Sequence, residues 1–221
     1  MTYLQKLFYT CAYTAHYETV GEDVNYAFIE EDNTLYIYFQ GSSSTTDWIR
    51  NFLFSKRPYK DMKIPYRVHR GFLAAWKEVE DIIIEKIINP EYQHIVIVGY
   101  SHGGALAAFC HECVWFYRPD LREKGLVTYA FEAPRIYAGF KVKKELQERW
   151  AHCYIIRNNN DIVTHCPPSI FCYCHVGDII QIHGDLSQVK NRLPKCIKSH
   201  YPQSVYDGLK DIENSLEDQK N

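Results

Sequence analysis

No stretch of the sequence stays apolar for the ~20 residues that a membrane-spanning helix requires, and its longest apolar runs are the length of single strands. No transmembrane segment is expected. Basic charge is not in excess either, because 25 Lys and Arg face 27 Asp and Glu for a formal net charge of −2. A protein that grips a phosphate backbone needs clustered cations, so nucleic acid is not expected as a partner. The opening MTYLQKLFYTCAYTAHYETV has no basic segment leading into an apolar one. No signal peptide is read there, and a cytoplasmic location is expected. Internal repeats and low-complexity linkers are missing as well. The 221 residues are therefore expected to fold as one domain over 1–221, long enough to bury most of its apolar surface in a single core.

Cysteine, by contrast, is plentiful, with eight in the chain. Without a signal peptide these read as reduced thiols rather than a disulfide framework. Cys110-His-Glu-Cys113 has the C-x-x-C form, and Cys172-Tyr-Cys174-His175 offers three further zinc-type ligands. The first pair falls on a predicted helix with Ala107 and Trp115 as apolar neighbours, where cysteine serves as a small core residue. Neither a metal nor a cofactor is expected.

The most informative segment is IVIVGYSHGGALAAFC, residues 95–110. Ile95 to Val98 is a short β-branched run suited to a buried parallel strand, and Ala105 to Phe109 favour helix. Ser101 lies in the bend between them. Gly99 and Gly103 flank it two residues away on either side, where a side chain would collide as the helix folds back across the strand. This is the G-x-S-x-G nucleophile elbow, which projects a serine hydroxyl above a sheet and aims the first amides of the next helix at a developing oxyanion.

Elsewhere, YAFIEEDNTLYIYF (26–39) reads as a hairpin turning at Glu30 to Asn33. Phe72, Trp76, Val79 and Ile83 are spaced by four, three and four, predicting an amphipathic helix over 72–88 that Asn89-Pro90 ends. Further strands are expected near Val127–Phe131, Cys153–Arg157 and Ile179–Ile182. The alternation predicts a mostly parallel sheet flanked by helices, entered through antiparallel strands at its N-terminal end. The polar tail DIENSLEDQKN is expected to fray.

A serine becomes nucleophilic only when a histidine takes its proton and a carboxylate holds that histidine. In elbow-bearing sheets the chain order is Ser, acid, His. Asp161, in RNNNDIVTHCPP just beyond a predicted strand, suits the acid, with Asp178 and Asp185 as rivals. Four histidines follow it: His165, His175, His183 and His200. His165 shares the loop of the acid, and His175 and His183 bracket a strand. His200, in KSHYPQSVYDGL, can reach back over the sheet edge and is preferred by a modest margin.

Taken together, GSSSTTDWIRNF, VHRGFLAAW, VGYSHGGALAAF, AFEAPRIYAG, RNNNDIVTHCPP and SHYPQSVY resemble, in order and approximate spacing, the class 3 lipases, the family of the fungal triacylglycerol lipases. The resemblance spans about residues 35–206. It implies an α/β-hydrolase fold with Ser101 as nucleophile, Asp161 as acid and His200 as base. It further implies an oxyanion hole made by the backbone N–H groups of Ser42 and His102. The implied activity is hydrolysis of carboxylic esters of acylglycerols or related lipids, with phospholipase or small-ester activity, or a non-catalytic interaction module, as the alternatives. Implied partners are a lipid or small ester substrate and a transient lipid interface. The elbow departs from the family's usual G-H-S-L-G-G at Tyr100 and His102, and Ser199 stands where the family often has aspartate before the histidine.

Residues 43–54, SSTTDWIRNFLF, gather Trp48, Ile49 and Phe52 on one helical face. Two readings remain open. The face can close over the acyl site as a movable cover, or it can pack into the core.

Overall fold

A computed structural model of the protein describes residues 1–22, 24–41, 56–59, 66–189 and 193–212. The strands in chain order are β1 (Glu18–Val20), β2 (Val24–Glu31), β3 (Thr34–Phe39), β4 (Lys56–Tyr59), β5 (Tyr66–His69), β6 (His94–Tyr100), β7 (Leu126–Phe131), β8 (Cys153–Asn158) and β9 (Asp178–Ile182). The helices are α1 (Tyr3–Tyr9), α2 (Arg70–Ile87), α3 (His102–Tyr117), α4 (Lys144–Gln147), α5 (Lys195–Lys198) and α6 (Pro202–Gly208). One sheet runs in the order β1-β2-β3-β6-β7-β8-β9, while β4 and β5 pair separately. In the larger sheet β1, β2 and β3 pair antiparallel and β3, β6, β7, β8 and β9 pair parallel, while β4 and β5 pair antiparallel. The predicted hairpin and the three strands that follow the elbow are all present.

The central parallel strand β6 is apolar on both faces because helices cover both. In β6, Ile95 and Ile97 join the larger core with α2 and α3, whereas Val96 and Val98 point the other way, into a second core with α1 and α6. That alternation is the period of two of a pleated strand. Helix α2 turns Phe72, Trp76, Val79 and Ile83 into the larger core. Burying each of them stabilises the fold by roughly 1.5–3 kcal/mol.

Helix α1 was not anticipated. Thr2 accepts the N–H of Gln5 while the Gln5 side chain accepts the N–H of Thr2, at 3.1 and 3.0 Å. This capping box satisfies two amides of the first turn. Leu4, Leu7 and Phe8 then cover the sheet beside Val98 and Phe131. The Thr-x-x-Gln spacing and the apolar triplet were visible in the sequence, but the surrounding tyrosines obscured them. Cys110 and Cys113 are buried in the larger core, and all eight cysteines are free thiols.

Candidate active site

Ser101 sits between β6 and α3 with φ 56° and ψ −120°, a backbone conformation that side chains rarely adopt. The flanking glycines permit it. A Cβ on Gly99 would come 2.1 Å from the carbonyl oxygen of Gly103, and one on Gly103 would come 2.2 Å from that of Phe39. The bend therefore forces α3 directly across β3 and β6. It lifts the serine to the carboxyl edge of the sheet, where open α/β sheets place their ligands.

Two other loops leave that same edge. Beyond β8, the Asp161 carboxylate receives the N–H of Val163 on Oδ1 at 3.0 Å. Its Oδ2 receives the Nδ1–H of His200 at 2.7 Å. The Ser101 hydroxyl donates to Nε2 of His200 at 2.8 Å. All three residues are buried. Burial pushes the Asp161 carboxyl up, but His200 and the hydrogen bonds to the carboxylate outweigh it, and the group titrates below its ordinary range. It is held ionised beside the imidazole.

His200 is fixed from three directions. Its N–H donates to the carbonyl of Ile197 at 3.0 Å, just beyond α5. The Tyr100 ring stacks on the imidazole at 5.2 Å between centroids, and the Tyr100 hydroxyl donates to the His200 carbonyl. Asn158, at the end of β8, donates through Nδ2 to the carbonyl of Ser199 at 2.8 Å and to the hydroxyl of Ser204 at 2.7 Å. Tyr100 and Asn158 are the positioning groups that the sequence reading missed. Tyr100 was seen only as a departure at the elbow, and Asn158 only as one of a run of asparagines.

The rival histidines lie elsewhere. His165 bonds through Nδ1 to the carbonyl of Asp161 at 2.8 Å, not to its carboxylate. His175 bonds to the carbonyl of Thr164 at 2.8 Å, and desolvation pulls it down to about 3, so it stays neutral. His183 bonds to Asn159 at 3.3 Å on the exposed side. Asp178 opens β9 at the surface, and Asp185 caps a short turn through the N–H of Ser187 at 2.8 Å. None of these rivals has a hydrogen bond to Ser101.

His102, the expected oxyanion donor, is the first residue of α3, at the positive end of the helix. Its imidazole packs against Phe72 at 5.6 Å. Ser42 and the whole of 43–54 lie outside the described residues, as do residues 213–221 of the tail. One oxygen of Glu132, one of Asp161 and a nitrogen of His200 lie within 4.8 Å of one another. Both His200 nitrogens are committed to Ser101 and Asp161, so a metal could bind there only by dismantling that chain of hydrogen bonds.

A strand, a strained serine, a helix across the sheet, and a carboxylate and imidazole from later loops define an α/β-hydrolase with serine-hydrolase geometry. The family model described as Lipase (class 3) matches residues 36–171, and the chain belongs to that family. It is 29% identical over 158 residues to a lipase of Rhizomucor miehei, covering 67% of this chain and 42% of that protein. It is 31% identical over 166 residues to secreted mono- and diacylglycerol lipase 1 of Fusarium solani, covering 72% of this chain and 47% of that protein. The chain thus spans less than half the length of these curated relatives. A solved triacylglycerol lipase, whose catalytic centre is a serine protease triad, superposes with a TM-score of 0.67. It shares 25% identity, covering 88% of this chain and 78% of that one.

Proposed function

We propose that the protein is a serine ester hydrolase that cleaves acylglycerol or related lipid esters through an acyl-enzyme. The observation that carries this reading is the continuous hydrogen-bonded chain from Ser101 through His200 to Asp161, at 2.8 and 2.7 Å. Family membership supports a lipid ester as the substrate class and transient contact with a lipid interface during turnover.

In this mechanism His200 accepts the Ser101 proton on Nε2 as Oγ attacks the ester carbonyl, and Asp161 stabilises the imidazolium. The oxyanion of the tetrahedral intermediate develops at the amino end of α3, where the His102 N–H stabilises it, with the Ser42 N–H expected as second donor. His200 then protonates the departing alcohol. Water repeats the sequence on the acyl-enzyme, with His200 again as base, and regenerates the serine.

The test is covalent labelling with a fluorophosphonate probe, followed by a panel of p-nitrophenyl esters and triacylglycerol emulsions. The wild-type protein is expected to label and to hydrolyse, and Ser101→Ala to do neither. A wild-type protein inert to the probe, or labelling that persists in Ser101→Ala, overturns the reading.

A further inference from the structure

Glu132 is the one residue of the 4.8 Å cluster that the mechanism above leaves without a task. It follows β7 directly, its side chain is fully buried, and its φ is 51°, a left-handed conformation that glycine would adopt without strain. Its backbone is anchored to β8 by an N–H bond to the carbonyl of Ile156 at 2.8 Å. One carboxyl oxygen, Oε1, accepts the N–H of Asn158 at 2.7 Å. The other, Oε2, is buried, and among the described residues no donor reaches it. A buried oxygen with no donor is costly as part of a carboxylate, but as an O–H it can itself donate.

We propose that Glu132 is a positioning residue that stays uncharged at working pH and donates its carboxylic proton to Asp161, extending the relay to Glu132, Asp161, His200 and Ser101.

Two buried carboxyls this close cannot both ionise, and the surroundings decide which keeps the proton. Asp161 receives His200 and the Val163 N–H, whereas Glu132 receives only the Asn158 N–H. Asp161 is therefore the better anion. Burial and the facing Asp161 charge push the Glu132 carboxyl well above its ordinary range, and the opposing influence of Arg157 on β8 does not offset them. Tyr100, on β6, also faces the pair and is itself held protonated by burial. A donor to Asp161 has a specific consequence. It holds the carboxylate rotamer that meets His200 Nδ1 and spreads its negative charge, without adding a second anion that would over-stabilise the protonated imidazole.

The proposal rests on the hydrolase reading, and three proteins test it: wild type, Glu132→Gln and Glu132→Met. Gln keeps an acceptor for Asn158 and a neutral donor for Asp161, and Met keeps the volume with neither. Glu132→Gln is expected to retain kcat within about threefold and to leave the acidic limb of the kcat/KM profile within about 0.3 pH unit. Glu132→Met is expected to lose about tenfold or more in kcat with KM little changed. Gln and Met variants of equal activity would overturn the proposal. So would a drop of about one unit or more in the acidic limb of Glu132→Gln, which would mean that an anion had been removed.

A second readout needs no turnover. A raised carboxyl contributes stability that is full below the unfolded pKa and lost as pH rises, so the melting temperature of wild type should fall relative to Glu132→Gln between pH 5 and 9. A constant difference overturns the proposal. A wild-type protein that shows this widening gap but neither labels nor hydrolyses would leave the carboxyl pair standing and overturn the hydrolase reading instead.

Discussion

Ser101 holds a left-handed φ of 56° so that its hydroxyl can face His200 at 2.8 Å, and the cost of that strain is borne by the packing around it. A substitution that removes only the hydroxyl leaves the packing intact. Ser101→Ala is expected to lower kcat by several orders of magnitude while leaving the melting temperature and circular dichroism near wild type. His200→Ala and Asp161→Asn should cost comparably, since residues of one relay act as a unit, whereas His183→Asn should keep most of the turnover. Initial rates on a soluble p-nitrophenyl ester distinguish the two outcomes. Tyr100→Phe keeps the ring stacked on the imidazole and removes only the bond to the His200 carbonyl. One hydrogen bond is worth about 0.5–1.5 kcal/mol. The expected loss in kcat is therefore about tenfold at most, with KM little changed.

At the scale of elements, the site depends on how closely α3 crosses the strands. Gly103→Ala would set a Cβ 2.2 Å from the Phe39 carbonyl, and no flexible side chain is available there to yield. Helix α3 must shift away from β3, which is expected to destabilise the fold by about 1–3 kcal/mol or more and to remove activity with it. Chemical denaturation measures the first effect and ester hydrolysis the second. This joint loss contrasts with Ser101→Ala, where activity goes alone. Asn158 performs a similar joining task between β8 and the segment that carries His200. Asn158→Ala leaves the Ser199 carbonyl and the Gly184 N–H without their bonds at 2.8 Å each, which weakens the hold on His200 as well as the fold.

Over the whole molecule, buried groups that must stay neutral set the response to acid. His111, fully buried on α3 and bonded to Thr128 at 2.8 Å, is pulled down to about 3 by desolvation. The unfolded imidazole titrates near ~6.5, so below that pH the unfolded chain takes up a proton that the folded protein refuses. Stability is therefore expected to fall as pH drops from 6.5, by about 2 kcal/mol at pH 5 from this residue. Denaturant melts at pH 7.5 and 5 check this, and His111→Asn should remove its share of the difference. Glu132 has the opposite sign, so the two residues together favour a stability maximum in the mildly acidic range.

Sequence spacing by itself determined the central strands, the helices on either side of the elbow strand, and the bend that carries Ser101. Alternation in β6, the stripe of Phe72, Trp76, Val79 and Ile83, and the glycines around Ser101 are local patterns, and local geometry is what such patterns encode. The six motifs in order also carried the family. What only the tertiary structure decided was partnership. Four histidines followed Asp161 with little to separate them by spacing. His200 meets Asp161 because the loop after β8 and the segment between α5 and α6 leave one sheet edge together, tied by Asn158 and by the Ile162 N–H to the Cys196 carbonyl at 3.1 Å. Glu132 was read in the sequence only as part of the motif AFEAPRIYAG. Its place beside Asp161 comes from two adjacent parallel strands whose ends are brought level by register, a relation between residues 29 positions apart that no periodicity within either strand records.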